Sequence, residues 1–210
     1  MKIRTMSLGP VRANTHIVTT EDGHTLLIDA GDCNNRLLSV LRERNVECVD
    51  YILLTHGHFD HTDGVAELKK HFPEAKVAIH TADAPMLSDG TLSLGSAFGF
   101  PSSSVSADII LEGGETLPFG ESPIKVVHTP GHTKGSVTYV IDDCMFTGDL
   151  LFYLSVGRTD FPGGDAQELN TSICSLFDYD GDYRVYPGHY IDTTLDFERK
   201  NNNLVRWKNR

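Results

Sequence analysis

Four potential metal ligands fall within six residues in the segment Thr55-His56-Gly57-His58-Phe59-Asp60-His61. Side-chain direction in an extended chain repeats every second residue, so His56 and His58 point the same way. Asp60 and His61 sit where the chain turns into a helix, so one short segment can serve two neighbouring ions. Zinc-type sites take imidazole nitrogens and carboxylate oxygens at about 2.0 to 2.2 Å, and catalytic ones keep a position open for water. Taken singly, each histidine reads as a solvated loop residue. Four convergent ligands behind an apolar strand read as a metal site.

Three later positions share one punctuation, a strand running into a glycine-bounded turn that carries a single ligand: Thr129-Pro130-Gly131-His132, Thr147-Gly148-Asp149 and Tyr186-Pro187-Gly188-His189. Each alone is an ordinary turn motif; their order behind the first cluster singles them out. Two divalent ions roughly 3.5 to 4 Å apart can share a water whose pKa falls towards about 7, giving hydroxide at neutral pH and a Lewis acid for a carbonyl oxygen. Hydrolysis is the chemistry this predicts. Ser136 follows Gly135 but lacks the closing glycine of a nucleophile elbow, and neither a Walker loop nor G-x-G-x-x-G occurs, so nucleotide cofactors are not indicated.

The elements that must hold these residues read as short strands alternating with helices. Strands are expected at 2–8, 14–20 and 25–29, with Glu21-Asp22-Gly23 as a hairpin turn. A surface helix over 34–45 carries Leu37, Leu38 and Leu41 on one face. The apolar run 49–54 predicts a strand buried on both sides. A helix then starts near His61, carries Val65, Leu68 and Phe72, and stops at Pro73. A strand at 77–80 and a brief helix at 81–87 follow. Residues 88–104, rich in Ser and Gly without periodicity, predict a long loop that either covers the site as a lid or substrate wall or is simply mobile. Further strands fall at 109–111, 115–119, 124–128, 136–141 and 144–146. Asp165 and Glu168 form a capping-box start for a helix whose Leu169, Ile173, Leu176 and Phe177 share a face, and Val185 and Tyr186 lead into the last Pro-Gly-His. An α/β (α+β) fold with two mixed sheets and helices outside, an αββα sandwich, accommodates the pattern as one domain over residues 1–210.

Composition narrows the partners. The 210 residues are 40% hydrophobic and 22% charged, as in folded globular chains. Eighteen basic against 29 acidic side chains, a net charge of −11, argue against nucleic acid, whose binding needs clustered Lys and Arg. Cys33, Cys48, Cys144 and Cys174 form no C-x-x-C pair and read as reduced thiols. No apolar run has the length of a signal peptide or a membrane span, so the expectation is a cytoplasmic chain with no membrane partner.

The pattern H-x-H-x-D-H, later His, later Asp, later His resembles that of the metallo-β-lactamase fold superfamily at seven positions: His56, His58, Asp60, His61, His132, Asp149 and His189. The resemblance implies a four-layer αββα sandwich with its site at one edge between the sheets. It assigns His56, His58 and His132 to one metal and Asp60, His61 and His189 to the other, with Asp149 bridging. It also implies two divalent ions, zinc first, with iron or manganese as alternatives. Gly157-Arg-Thr-Asp-Phe-Pro-Gly-Gly-Asp165 together with Pro130-Gly-His-Thr133 is similar to single-domain bacterial glyoxalase II-like hydrolases. The implied reaction is cleavage of a small thioester or ester such as S-lactoylglutathione by a metal-bridging hydroxide, with Asp60 also the catalytic residue that orients the hydroxide or handles its proton. Persulfide dioxygenases of the same superfamily, holding one iron with two His and one Asp, give the alternative.

Three residues beside the ligands are candidate substrate contacts. Arg158 reads first as a partner of Asp160 or a backbone carbonyl that fixes its loop, and second as a salt bridge to a substrate carboxylate. Tyr153 and Tyr190 flank Asp149 and His189 and either line the pocket or pack beside it. Related hydrolases often place Gly where Tyr190 stands, which suggests a narrowed entrance. The other histidines take plain roles: His24 at a hairpin turn, His71 at a helix end, His16 and His80 on or beside strands, and His128 as a possible group behind the ligands. The charged run 198–200 reads as solvated surface.

Overall fold

A computed structural model describes residues 1–100 and 105–206. The chain opens with β1 (Lys2–Leu8), β2 (Ala13–Thr19) and β3 (Thr25–Ile28), then α1 (Asn35–Glu43) and β4 (Tyr51–Leu53). Two short helices, α2 (Phe59–Thr62) and α3 (Val65–His71), precede β5 (Lys76–His80) and β6 (Ile109–Leu111). These six strands form one sheet in the order β1-β2-β3-β4-β5-β6, antiparallel through β3 and parallel beyond it. Next come β7 (Thr116–Leu117), β8 (Ile124–His128), β9 (Val137–Ile141) and β10 (Cys144–Gly148), followed by a small hairpin of β11 (Leu151–Phe152) and β12 (Ser155–Val156). After α4 (Ala166–Phe177), β13 (Arg184–Pro187), β14 (Thr193–Thr194) and α5 (Leu195–Asn201), the second sheet is complete in the order β14-β13-β10-β9-β8-β7.

Three apolar layers make this the four-layer sandwich. Ile17, Leu27, Ile52, Val77 and Ile79 face Leu37 and Leu41 of α1 and Val65 and Leu68 of α3. Alternate residues of the same strands, Leu26, Ile28, Leu53 and Ala78, meet Ile124, Val137, Tyr139 and Phe146 across the sheet-to-sheet core. Met145 and Val185 turn outwards to Leu169, Ile173, Leu176 and Phe177 of α4 and Leu195 of α5. Covering both faces explains why β3 and β4 read as apolar runs rather than alternating ones. Each such leucine or isoleucine contributes about 1.5 to 3 kcal/mol of burial. Among the described residues, no helix is long and apolar enough to cross a membrane.

Local sequence sets the helix ends. Asn34 accepts from the Arg36 and Leu37 backbone N–H groups, capping α1. Asp165 does the same for Gln167 and Glu168 at the start of α4. The reciprocal half of the expected capping box is absent, because the Asp165 N–H donates instead to Gly131 O at 2.8 Å. That bond ties α4 to the turn carrying His132.

Several elements differ from the sequence expectation. The helix expected from near His61 to Phe72 is two helices, with Asp60 and His61 already inside the first. They part at Gly64, whose N–H donates to Ala30 O at 2.7 Å and where a Cβ would meet Asp32 backbone carbon at 2.5 Å. The helix expected at 81–87 shrinks to a 3-10 turn, Ala84–Leu87. Of the expected loop 88–104, residues 101–104 lie outside the described residues. The rest is anchored: Gly95–Phe98 forms a 3-10 turn, Phe98 and Phe100 each stack on Phe59 with centroids 5.3 Å apart, and Phe59 N–H donates to Ser93 O. The hairpin β11–β12 was not foreseen. Glu198, expected on a solvated surface, is fully buried, accepting from Leu154 N–H, the Thr193 hydroxyl and Asn202 Nδ2. It thereby pins the hairpin turn to α5.

Candidate metal centre

Strand ends bring the ligands together. His56 and His58 follow β4, Asp60 and His61 lie in α2, and His132 sits in the turn between β8 and β9. Asp149 and His189 leave the C-terminal ends of β10 and β13, which pair in parallel and so end side by side. All seven residues meet at one edge of the two sheets. His58 Nδ1 lies 3.0 Å from His132 Nε2. Asp60 Oδ2 lies 3.6 Å from His61 Nε2 and 3.3 Å from His189 Nε2. Asp149 stands between the groups, with Oδ2 3.7 Å from His132 Nε2 and 3.6 Å from His189 Nε2, and Oδ1 3.5 Å from His61 Nε2. Three overlapping donor triads result: His56, His58 and His132; His56, His61 and Asp149; and Asp60, His61 and His189, each with ligand atoms within 4.8 Å of one another.

The strongest sign that this cluster suits cations is what it leaves unpaired. His56 Nε2, His61 Nε2 and Asp149 Oδ1 are buried without a hydrogen-bond partner among the described residues. An unsatisfied buried polar atom costs about 1 to 3 kcal/mol, and three together in one cluster are what a cation would satisfy. The opposite ring nitrogens are already engaged: His56 Nδ1 with the Thr55 hydroxyl at 3.1 Å, His61 Nδ1 with Asp29 at 2.8 Å, and His132 Nδ1 with Arg158 O at 2.7 Å. Such bonds fix ring orientation and leave Nε2 as the donor to a metal. The residues present therefore fit divalent-metal binding.

Two aspartates that sequence reasoning did not single out hold the cluster in place. Asp29, at the end of β3, accepts from Thr55 N–H, the Thr55 hydroxyl and His61 Nδ1, each at 2.8 Å. Its backbone sits at φ +57, which Asp tolerates better than most residues. Asp83, fully buried, accepts from Gly57 N–H, Gly135 N–H and the Thr133 hydroxyl, bracing the His56–His58 segment against the His132 turn. The signal that could have found them is an acidic residue directly after a buried strand or just before a helical turn, with no cap to make. Glycines allow the approach: at Gly31 a Cβ would fall 1.7 Å from Asp60 O, and at Gly188 2.3 Å from Asp149 Oδ1.

Burial and mutual repulsion keep two of the histidines neutral. Burial, reinforced by the neighbouring rings, pushes His56 well down, and burial with His132 pushes His58 down to about 3. Neutral imidazole is the form that ligates metal. Burial alone would lower His61 too, but Asp60, Asp29 and Asp149 outweigh it and raise it to about 10. Burial would raise Asp60, yet His61 and His189 hold its carboxyl well below the usual range. Asp60 is thus ionised at neutral pH.

A cavity of about 650 Å³ opens over Asp149 and His189, walled by Arg12, Phe152, Val156, Arg158 and Tyr190 among others. A second cavity of about 680 Å³ lies behind α4 and touches none of the seven candidate ligands, so the first is the one that adjoins the cluster. Tyr190 lines the first cavity and is 75% exposed as a residue, on backbone at φ +66. Tyr153 does not line it: Phe152, the last residue of β11, takes the wall position, while Tyr153 lies in the turn beyond with its ring stacked on Phe197 of α5 at 5.3 Å. Arg158 reaches the wall, but its guanidinium is held in a two-bond pair with Asp160 at 2.7 Å and lies over the Phe161 ring. His128 is not behind the ligands; it is exposed, stacks on His80 at 4.3 Å and bonds Lys134 O.

The model of the Metallo-beta-lactamase superfamily matches residues 8–189, a range that spans all seven candidate ligands. The chain belongs to the metallo-β-lactamase superfamily. Among solved structures of the superfamily, it is similar to the BLEG-1 B3 metallo-beta-lactamase, with a TM-score of 0.92 at 32% identity, covering 98% of this chain and 100% of that one. The structure of TTHA1623 in a di-iron-bound form aligns with a TM-score of 0.85 at 35% identity, covering 96% and 100%. Among curated relatives, the Hydroxyacylglutathione hydrolase GloC of Haemophilus influenzae is 29% identical over 217 residues, covering 99% of this chain and 100% of the relative.

Proposed function

We propose that this chain is a dinuclear metal-dependent hydrolase of small thioesters or esters, with S-lactoylglutathione-like compounds as the substrate class. The observation that carries the reading is the set of three overlapping donor triads with three unsatisfied buried atoms at their centre. His56, His58 and His132 would hold one ion, Asp60, His61 and His189 the other, and Asp149 would bridge. Two such ions, when bound, would polarise the substrate carbonyl and lower the pKa of water to about 7.

The chain's own residues do the rest. Asp60 is ionised and partly open at 13% side-chain exposure, so its carboxylate is placed to accept a hydrogen bond from the nucleophilic water and orient it. Asp29 holds His61 with Nε2 facing inwards, and the Arg158 carbonyl does the same for His132. Phe152 and Tyr190 give the cavity an apolar wall against which an acyl or thiol body can lie. The cavity volume matches a small molecule, within the roughly 300 to 1,000 Å³ of ligand sites, and the net charge of −11 supports a small-molecule substrate over nucleic acid. The di-iron form of TTHA1623 keeps iron beside zinc as a candidate, and the relative named as a hydroxyacylglutathione hydrolase supports a thioester.

The test is chelator-sensitive release of thiol from S-lactoylglutathione, run beside oxygen consumption with glutathione persulfide. Thiol release without oxygen uptake supports the hydrolase. Oxygen uptake by a protein carrying one iron, with no thiol release, replaces it with the dioxygenase.

A further inference from the structure

The cavity above Asp149 and His189 carries two arginines, and they are not equivalent. Arg158 spends its charge on Asp160 at 2.7 Å. Arg12 lines the same cavity, and among the described residues no carboxylate pairs with it. Asp149 is the one acidic residue among the described walls of that cavity, and it belongs to the candidate metal centre. In a chain of net charge −11 the general field repels anions, so an unpaired cation facing a concave site marks where an anionic group would be drawn in.

The turn that carries Arg12 is built to hold it there. Gly9, Pro10, Val11 and Arg12 join β1 to β2; the Arg12 N–H donates to Gly9 O and the Ser7 hydroxyl donates to Arg12 O at 2.7 Å. Arg12 occupies left-handed backbone at φ +63, a conformation Gly would adopt without strain and a long side chain does not favour. Two residues on, Asn14 fastens the turn to the His189 loop: its N–H donates to Gly188 O at 2.7 Å, and its Nδ2 donates to both Pro187 O and Tyr190 O at 3.0 Å. The turn that carries Arg12 is therefore fixed relative to His189 by three hydrogen bonds from one buried residue, one from its backbone and two from its side chain.

We infer that Arg12 is a specificity-determining residue that selects substrates bearing a carboxylate, its guanidinium pairing with that group while the scissile bond lies over Asp149 and His189. This rests on the hydrolase reading above and adds to it the residue that reads a carboxylate on the substrate. The carboxylate can belong to the thiol half or to the acyl half of a thioester, and the two are separable by experiment.

Three thioesters of matched size test it: one neutral, one with a carboxylate on the thiol half, and one with a carboxylate on the acyl half. The wild type is expected to prefer one of the charged pair in kcat/KM, which also names the half that Arg12 reads. In Arg12→Gln that preference falls about tenfold through KM, the equivalent of ~1.4 kcal/mol, and Arg12→Lys restores part of it. Arg12→Gly removes the charge and relieves the backbone, so it should lose the same preference without lowering Tm. Calorimetry with an uncleavable thioether, 3-(benzylthio)propionate against its amide, reads the same selection without turnover. Equal binding of acid and amide by the wild type, or an unchanged preference in Arg12→Gln and Arg12→Gly, overturns the inference. Carboxylate-selective binding that depends on Arg12, with no cleavage of any thioester, would sustain it and overturn the hydrolase reading instead.

Discussion

Replacing Asp29 with Asn tests how the centre is oriented, because the change keeps shape and backbone preference while removing one acceptor. Asp29 accepts three hydrogen bonds at 2.8 Å, two on Oδ2 from His61 Nδ1 and the Thr55 hydroxyl, and one on Oδ1 from Thr55 N–H. An amide can present its oxygen to only one side. If the oxygen faces His61, the NH2 confronts Thr55 N–H, and a buried donor goes unsatisfied. If the NH2 faces His61 instead, the ring must accept at Nδ1 and carry its proton on Nε2, which blocks the atom offered to metal. Either arrangement costs about 2 kcal/mol, which for a chain of this length lowers Tm by roughly 4 to 8 °C. Loss of an orienting carboxylate behind a ligand histidine should weaken the ion at Asp60, His61 and His189 by about 10- to 100-fold. Thermal melts of the metal-free protein and chelator-competition titrations would measure both. The ion at His56, His58 and His132 should bind as before. A Tm and a second-ion affinity equal to wild type would refute the idea that Asp29 sets the His61 ring.

Gly188→Ala should abolish stable metal loading while far-UV circular dichroism stays native, because the new methyl would lie 2.3 Å from Asp149 Oδ1 and 2.8 Å from His61 Cε1. Metal content by elemental analysis checks it. Acid stability is expected to depend on His16, whose ring is buried between β1 and Pro187 O and pushed by burial down to about 4. The unfolded chain takes up this proton first as pH falls, so the stability His16 contributes is present above about pH 6.5 and is lost between there and about pH 4, ~2 kcal/mol of it by pH 5. Urea titrations at pH 7 and pH 5 should therefore show a smaller loss in His16→Gln than in wild type, and parallel losses would contradict the assignment.

The seven candidate ligand positions, which the fold brings together at one edge, could be read beforehand because four lie within six residues and the others share a strand-then-turn context. The groups that orient them could not. Asp29 lies 26 residues from Thr55 and 32 from His61, and Asp83 lies 50 from Thr133, so their places after a strand or before a turn do not say which groups they hold. Glu198 sits in a run of charges that suggests solvent, and only the return of the β11–β12 turn across the sheet surface buries it. Periodicity could not show the break at Gly64 either, since it comes from the close passage of residues 30–33. Strands were legible where apolar runs are covered on both faces, as in β3 and β4. The two-residue strands β11 and β12 have too little pattern to show a period. Tyr153 and Phe152 illustrate the same point at the cavity: adjacent aromatics beside a candidate ligand look alike in sequence, and the turn that begins after Phe152 decides which one lines the cavity.

The most direct measurement is the number of divalent metal ions per chain in purified and reconstituted protein, by elemental mass spectrometry, for the wild type, His58→Ala and His61→Ala. Two ions per chain in the wild type and about one in each variant is the predicted result, since each substitution removes a donor from a different triad. A wild type that binds one ion or none after reconstitution, or a His58→Ala protein with unchanged metal content, would contradict the dinuclear centre.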